Sequence, residues 1–354
     1  MITSLRFRGI RSLLRNPPAA LNTAWNFAEM AVGAKTRRSD PPILQIEVTA
    51  RCNFNCRYCI VHNGIATPAD EVDTDMDFDT FRGILDRFPR SHYLQLQGQG
   101  EPLMLGDGLV AMAGLAEQRR RHFSIVSNGQ LWTERLSRDL LKAGVDVVSF
   151  SMDLCDPARM ESQRINMKTA RVEENLRRLL SIRREMKSAV SIGVSAVAFA
   201  GVPLDEVRRA VRRLESFGID FLVVGGLVGT SSYHTRYPSD MNQELLRDVD
   251  PITLVPPMQG CTRYSTPGLN FMFGRCLWPW SGLYISADGG ISICPNNHRL
   301  RIGHVNDIDA LNLTVHKDLR EAFTAGREPD VCRGCQYLVA HRPRRPDVQA
   351  RQGH

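Results

Sequence analysis

Short apolar runs alternate with longer amphipathic stretches between residues 43 and 228, and this pattern limits the fold more than any other feature of the sequence. The runs are rich in β-branched residues and predict strands, at residues 43–49, 92–97, 123–127, 145–152, 190–199 and 221–228. The stretches between them predict helices, at residues 78–88, 108–121, 133–143, 170–187 and 204–217. Right-handed crossovers then build a parallel sheet. Six units fall short of a closed eight-stranded barrel, so the predicted fold class is α/β, with a partial (β/α)6 barrel.

Three further parts are predicted around this barrel, which takes residues 41–230. Residues 1–40 predict a helical extension that packs on the barrel or, alternatively, lies on a membrane surface. Residues 231–341 predict an irregular, proline-rich connector and then a small α+β region that binds a cluster, in which Asp288-Gly289 is typical of a β-hairpin turn. Residues 342–354 are rich in arginine and proline and predict a disordered basic tail.

Composition argues against several classes of protein. No stretch approaches the roughly 20 apolar residues that cross a bilayer, and residues 1–30 lack the apolar core of a signal peptide, so we expect a cytoplasmic protein with no transmembrane segment. Aromatic residues make up 7% of the chain and form no basic, aromatic-interleaved stripe, so no nucleic-acid partner is expected. Nine cysteines in such a chain indicate metal binding or catalysis rather than disulfides.

The loop after the first predicted strand carries Cys52, Cys56 and Cys59 with the spacing C-x3-C-x2-C. Three thiolates on a short loop can bind three irons of a [4Fe–4S] cube, which leaves one iron without a protein ligand. A tetrahedral zinc site is the alternative, and it would need a fourth ligand such as His62.

A second set of cysteines lies in the last third of the chain, and it consists of Cys276, Cys294, Cys332 and Cys335. Four thiolates can complete either a zinc site or a [4Fe–4S] cluster. Cys155 and Cys261 belong to neither set. Each is either a small buried apolar residue or a hydrogen-atom donor to a substrate radical, and Cys261 has the further alternative of binding a cluster.

The first cysteine loop resembles the signature of the radical S-adenosylmethionine (SAM) superfamily, in which an aromatic residue, here Tyr58, precedes the last cysteine. Three later stretches agree with this resemblance, each at the end of a predicted strand: Gly98-Gln99-Gly100-Glu101, Ser127-Asn128-Gly129 and Ser149-Phe150-Ser151. The C-terminal cysteines lie in a region similar to the auxiliary-cluster domains called SPASM and, in the shorter form, Twitch. The stretches that carry this similarity are Cys276-Leu277-Trp278-Pro279-Trp280, Cys294-Pro295 and Cys332-Arg333-Gly334-Cys335.

The resemblance implies that the cofactors are SAM and two [4Fe–4S] clusters, one that binds SAM and one auxiliary. Cys52, Cys56 and Cys59 would hold the first cluster. The ligands implied for the auxiliary cluster are Cys276, Cys294, Cys332 and Cys335. The residues implied to bind SAM are Tyr58, Gly98, Gly100, Glu101, Ser127, Asn128 and Ser151. In this interpretation the glycines let the backbone approach SAM closely, and Glu101 pairs with its ammonium group.

The family's chemistry implies an oxidoreductase that cleaves SAM to a 5′-deoxyadenosyl radical, which abstracts a hydrogen atom from the substrate. We expect oxidation or epimerisation of a small molecule such as a sugar or aminocyclitol, with a ferredoxin or flavodoxin as electron donor. Modification of a ribosomally made peptide is the alternative, but residues 1–40 are too short for the peptide-binding domain that such relatives usually carry. A zinc-binding interaction module without chemistry is an alternative of another class.

Overall fold

The structure is a computed structural model of the chain. It describes residues 13–59, 61–62, 73–199, 201–226, 258, 261–265, 271–272, 275–297, 300–307, 309–333, 335 and 338, with the backbone alone at 263–265 and 271–272. Among these residues, no helix has the length and apolar character needed to cross a membrane. Most of the predicted connector and the predicted tail at 342–354 lie outside the described residues.

Fourteen strands and nine helices are described within these ranges. The strands are β1 (Ile43–Ile46), β2 (Asn55–Cys56), β3 (Tyr93–Leu96), β4 (His122–Ser127), β5 (Val147–Ser151), β6 (Arg164–Ile165), β7 (Ser191–Val197), β8 (Phe221–Gly225), β9 (Thr262–Ser265), β10 (Phe271–Met272), β11 (Arg275–Cys276), β12 (Gly282–Ile285), β13 (Gly290–Ser292) and β14 (Arg301–His304). The helices are α1 (Pro17–Ala31), α2 (Phe78–Arg87), α3 (Asp107–Gln118), α4 (Glu134–Lys142), α5 (Pro157–Gln163), α6 (Thr169–Glu185), α7 (Leu204–Ser216), α8 (Trp278–Ser281) and α9 (Thr314–Thr324).

Ten of the strands form one sheet in the order β14-β13-β12-β1-β3-β4-β5-β7-β8-β9. The eight strands from β12 to β9 run parallel, and β13 and β14 continue the sheet in antiparallel pairing. The six predicted strands are six of the parallel ones, and the five predicted helices correspond to α2, α3, α4, α6 and α7. The predicted α/β class with a partial barrel is therefore confirmed.

Two of the parallel strands have no counterpart in the predicted barrel. Strand β9 pairs with β8 but lies in the stretch predicted as an irregular connector, so that part of the prediction was wrong. Its four residues are too few, and too polar, to give a period-two signal. Strand β12 is the first strand of the predicted hairpin, and it pairs with β13 as expected. It also pairs in parallel with β1, from Ile43↔Gly282 to Ile46↔Ile285, so the C-terminal region shares its sheet with the barrel.

The helices pack on the sheet through the apolar faces that their sequences predict. In α4, the Thr133 side chain caps the first turn by accepting a hydrogen bond from the Leu136 backbone, and Leu140 and Leu141 are buried. Between sheet and helices lies one continuous core, which includes the fully buried Leu44 and Ile125. This packing holds the carboxyl ends of the parallel strands at one edge, which is where ligands bind in such folds.

Candidate active site

A cavity of about 350 Å³ opens at the carboxyl ends of the parallel strands. Its wall is built from the first cysteine loop, the glycine-rich turn after β3, the ends of β4, β5 and β7, and two segments of the C-terminal region. The residues that line it are Gln45, Cys52, Phe54, Cys56, Tyr58, Cys59, Val61, Gln97, Gly98, Gln99, Gly100, Glu101, Val126, Ser127, Asn128, Ser151, Arg164, Val197, Gly226, Tyr284, Pro295 and Asn296. This set includes all ten residues implied to hold the first cluster or SAM.

The three cysteines of the first loop lie together in this wall. Strand β2 within the loop pairs with β6, the buried Phe54 anchors the loop in the core, and the Cys59 backbone donates a hydrogen bond of 3.0 Å to the Cys56 carbonyl. The pKa of both Cys52 and Cys56 is raised to about 12, mainly by burial and to a smaller extent by the neighbouring Cys59. Thiols in such surroundings ionise when a bound metal supplies the compensating positive charge.

The proposed zinc ligand His62 does not complete a site with these thiols. Its Nε2 atom lies 3.0 Å from the Ala50 carbonyl oxygen. Within the part of the chain that the structure describes, no group of three or more histidine, cysteine, aspartate or glutamate side chains is arranged to hold a single metal ion.

The glycines of the turn after β3 are already required by contacts with neighbouring protein, and their close approach to SAM stays a prediction. A Cβ at Gly98 would lie 2.4 Å from the Glu47 side chain, and one at Gly100 would lie 2.3 Å from the Thr49 carbonyl oxygen. Both contacts are far inside the distance that a side chain tolerates. The two glycines therefore let the turn pack directly on the end of β1 and on the start of the cysteine loop.

Glu101 lies at the centre of a buried hydrogen-bond network. Its Oε1 atom accepts bonds from the Ser127 hydroxyl (2.7 Å) and the Leu103 backbone (3.1 Å), and its Oε2 atom accepts one from the Asn128 backbone (2.6 Å). Burial raises the pKa of Glu101 to about 7, although these bonds oppose the shift. A carboxylate has about four acceptor positions, so Oε2 retains one for a further donor. The Asn128 amide also donates to Asn53 in the cysteine loop (2.7 Å).

A buried ion pair beside the first cysteine loop was missed by the sequence reasoning. Arg164 donates two hydrogen bonds to Asp153, of 2.7 and 2.9 Å, and the two residues are 6% and 1% exposed. The Tyr58 hydroxyl donates to the same carboxylate, and the guanidinium lies 5.3 Å from the centre of the Tyr58 ring. Because Arg164 pairs with Cys56 in the β2–β6 ladder, this pair fixes both the aromatic residue and one cysteine of the loop.

The four C-terminal cysteines also lie near one another. Cys294 and Cys332 each have a pKa raised by burial and by the proximity of Cys276 and Cys335, and burial raises the pKa of Cys276 to about 12. A small core surrounds them, in which Trp280 is fully buried. The two residues after Cys294, Pro295 and Asn296, reach the wall of the cavity.

The comparisons with known proteins identify the family. Residues 46–214 match the radical SAM superfamily, and residues 276–336 match the iron–sulfur cluster-binding domain SPASM. The chain belongs to the radical SAM superfamily. It is a radical SAM enzyme with a SPASM-type C-terminal region, and the two matches together span well over half of its length.

The individual proteins that this chain resembles share only modest sequence identity with it. A Pyrococcus furiosus protein named tungsten-containing aldehyde ferredoxin oxidoreductase cofactor-modifying protein is 29% identical over 189 residues, which are 52% of this chain and 51% of the relative. The chain thus spans about half the length of that relative, and 41% of the Bos taurus molybdenum cofactor biosynthesis protein 1.

Solved structures show the same fold at low sequence identity. Streptococcus suis SuiB bound to its precursor peptide SuiA superposes with a TM-score of 0.60 at 14% identity, over 85% of this chain and 71% of SuiB. BtrN in complex with SAM and 2-DOIA superposes with a TM-score of 0.50 at 14% identity, over 83% of this chain and 92% of BtrN.

Membership of the superfamily makes SAM, a [4Fe–4S] cluster and an auxiliary iron–sulfur cluster the cofactors of this radical SAM enzyme. The cavity suits them. Besides the buried thiols, Gln99 lines the cavity, and its Oε1 atom is buried without a hydrogen-bond partner in the described structure. An unsatisfied buried acceptor of this kind is stabilised by a donor on a ligand, such as an ammonium or hydroxyl group.

The remaining two cysteines of the radical SAM enzyme differ in position. Cys155 is fully buried in the main core and is not among the residues that line the cavity; burial raises its pKa to about 12. Cys261 is half-buried just before β9 and packs against the same core. The position of Cys155 is that of a small apolar core residue. A role of either cysteine as a hydrogen donor stays a prediction.

Proposed function

We propose that this radical SAM enzyme oxidises a small polar molecule, such as a sugar or aminocyclitol, at a carbon that bears a hydroxyl group. The observation that carries the proposal is the position of the cavity. One wall consists of Cys52, Cys56 and Cys59, and another includes Pro295 and Asn296, which directly follow Cys294. A substrate in this cavity would lie between the residues that would hold the two clusters.

When bound, SAM and its cluster supply the 5′-deoxyadenosyl radical that removes a hydrogen atom from the substrate. The chain's own residues position the reactants for this step. Glu101 and Gln99 offer acceptors to the ammonium group of SAM, and Tyr58 is held against the cavity by Asp153. Oxidation also needs a one-electron acceptor, and the C-terminal cysteines would hold one beside the same cavity.

The lining of the cavity supports a neutral, hydroxyl-rich substrate. Several uncharged hydrogen-bonding side chains face it, namely Gln45, Gln97, Gln99, Ser151, Tyr284 and Asn296. Amide side chains both donate and accept, which matches hydroxyl groups. The volume of about 350 Å³ is at the lower end of the range for small-molecule sites, which is roughly 300–1,000 Å³, and it must also admit SAM.

Oxidation is favoured over epimerisation by the position of Cys155. Epimerisation requires a hydrogen donor that touches the substrate radical, and Cys155 is buried outside the residues that line the cavity. Cys261 remains the candidate donor if the enzyme epimerises its substrate. Modification of a peptide is the second candidate function, favoured by the likeness to SuiB, which was crystallised with a precursor peptide. A ferredoxin or flavodoxin is the proposed electron donor.

The test is anaerobic reconstitution followed by incubation with SAM and dithionite. We expect brown protein with about eight irons per chain and release of 5′-deoxyadenosine. Candidate sugars and aminocyclitols that carry deuterium on the hydroxyl-bearing carbon should transfer the label to 5′-deoxyadenosine. Cys56→Ala should abolish SAM cleavage, whereas Cys294→Ala should retain cleavage without formation of the oxidised product.

Cys155→Ala is the matched control, and it should retain both SAM cleavage and product formation. Persistent cleavage in Cys56→Ala would refute the assignment of the first cluster. Formation of oxidised product by Cys294→Ala at the normal rate would refute the role of the C-terminal site as the acceptor.

A further inference from the structure

Helix α1 is oriented with its polar face inward and its apolar face outward. The five buried residues of the helix are the polar Asn22, Asn26 and Glu29 and the apolar Ala19 and Met30, whereas Leu21 and Trp25 are 73% and 57% exposed. The exposed residues of the helix are all apolar: Pro17, Pro18, Leu21, Ala24, Trp25, Phe27, Ala28 and Ala31. Leu14 and Val32, at 70% and 77% exposed, extend this surface at the two ends of the helix. A helix that covers a protein core normally has the opposite orientation.

Hydrogen bonds from the inward side chains fix this orientation. The Asn22 amide donates to the Asp40 carbonyl (3.0 Å), and the Asn26 amide donates to the Trp280 carbonyl (2.9 Å). Glu29 accepts from the Ser39 hydroxyl (2.6 Å). Rotating the helix to bury its apolar face would break these bonds and leave the backbone groups that they satisfy without hydrogen-bond partners. The outward apolar face is therefore a fixed property of the fold.

Basic residues border this apolar surface. At the first turn, the Asn16 amide donates to the Arg120 carbonyl, and the Arg120 guanidinium donates to the Arg15 carbonyl. Further along, the Arg38 backbone and the Trp25 indole both donate to one oxygen of Glu29, so Arg38 adjoins the exposed tryptophan. Arg15, Arg38 and Arg120 are exposed, and none of them pairs with a carboxylate in the described part of the chain. The sequence before the helix adds Arg6, Arg8 and Arg11.

We infer that the outward face of α1 docks this enzyme on an anionic lipid membrane. Interfacial helices bury leucine, phenylalanine and tryptophan at the level of the headgroups, and adjoining arginines attract anionic lipids. A tryptophan with one apolar side and a hydrogen-bonded N–H suits this interface. A stable protein–protein interface takes about 20–30 residues a side, far more than a strip one helix wide provides. The inference concerns attachment and does not depend on the proposed reaction.

The test measures sedimentation of the anaerobically reconstituted full chain with vesicles. We expect binding to vesicles of phosphatidylcholine and phosphatidylglycerol in equal amounts, and little binding to phosphatidylcholine alone. The variant Leu21→Gln/Val32→Gln should lower the partition coefficient by about tenfold or more, because two side chains lose their apolar contact with lipid. Arg15→Gln/Arg38→Gln should lower it by a similar factor, and added salt should weaken binding of the wild type more than binding of this arginine variant.

The matched control is Leu204→Gln/Leu300→Gln, which changes two exposed leucines far from α1 in sequence. It should bind vesicles like the wild type, and all variants should retain cluster content and SAM cleavage in solution. Failure of the wild type to bind any vesicle would overturn the inference. So would vesicle binding that the α1 substitutions leave unchanged, or a dimer in light scattering that Leu21→Gln/Val32→Gln dissociates, since the face would then be covered by a second copy.

Discussion

Replacing Asp153 by asparagine removes one charge from the buried pair beside the first cysteine loop. Asp153 is 1% exposed, and its two oxygens accept both hydrogen bonds from Arg164 and the one from Tyr58. Asparagine keeps one acceptor oxygen, which can still serve Tyr58. Its NH2 group faces a guanidinium N–H, so one hydrogen bond is lost and the Arg164 charge is left without a counter-ion.

The expected loss in the free energy of unfolding follows from the burial of this ion pair. Breaking a buried pair by removing one partner costs about 3–5 kcal/mol, because an uncompensated charge stays in the interior. That is a large share of the roughly 5–15 kcal/mol that holds a typical domain folded. Arg164 pairs with Cys56 across the β2–β6 ladder, so we expect the loss to extend to the cysteine loop. Iron retention at the first site should fall together with stability.

The assay is thermal unfolding of the reconstituted enzyme, with iron content and SAM binding measured on the same samples. Asp205→Asn is the matched control, since it breaks an ion pair in which the aspartate is 68% exposed, and it should leave the unfolding temperature almost unchanged. The double variant Asp153→Asn/Arg164→Met removes the unpaired guanidinium charge and should recover most of the stability. SAM binding should remain weak, because Tyr58 has lost the guanidinium that lies over its ring.

Two outcomes would refute this reasoning. A cost below about 1 kcal/mol for Asp153→Asn would mean that water reaches the pair. Failure of the double variant to recover stability would mean that the unpaired Arg164 charge is not the cause of the lost stability.

Two further predictions concern titratable groups. Because burial raises the pKa of Glu101 to about 7, the carboxylate that meets the ammonium forms as the pH rises through this value. The affinity for SAM should therefore rise with pH through about 7 and level off above it. Isothermal titration should show this dependence in the wild type and not in Glu101→Gln. His92 is buried, and burial lowers its pKa from 6.5 to about 3. Folding therefore favours the neutral imidazole, and stability is lost as the pH falls below 6.5. The loss is about 2 kcal/mol at pH 5, seen as a steeper decline of Tm in the wild type than in His92→Leu.

The sequence predicted the parts of the fold that rest on local periodicity. The six barrel strands and five helices carry their own apolar patterns, and the hairpin carries its Asp-Gly turn, so each could be located without tertiary information. The cysteine spacing and the resemblance likewise predicted residues that the fold brings together in one wall of the cavity. These features share one property, which is that each depends on residues close in sequence.

The features that the sequence did not predict depend on contacts between residues that lie far apart in the sequence. Nothing near Arg164 shows that it meets Asp153, because the pairing follows from β6 docking on the cysteine loop. The inward polar face of α1 could not be predicted either. Its asparagines are typical of surface residues, and only the structure shows that Asn26 meets the Trp280 carbonyl. Both are buried polar groups satisfied by partners far along the chain, which periodicity does not report.

The parallel pairing of β12 with β1 has a consequence for the two cysteine sites. The first loop begins six residues after Ile46 at the end of β1, and Cys294 follows β13 by two residues. Both sites therefore follow strands of one hydrogen-bonded sheet, in which β12 lies between β1 and β13. Buried Glu47 reinforces this link, because its carboxylate accepts from the Tyr284 hydroxyl (2.8 Å) and from the Gln99 backbone (2.7 Å). A hinge between the two sites would have to break the hydrogen bonds of the sheet and leave the buried Glu47 carboxylate without these donors. The spacing between them is therefore set by the fold, and the proposed transfer of an electron to the C-terminal site would need such a fixed spacing.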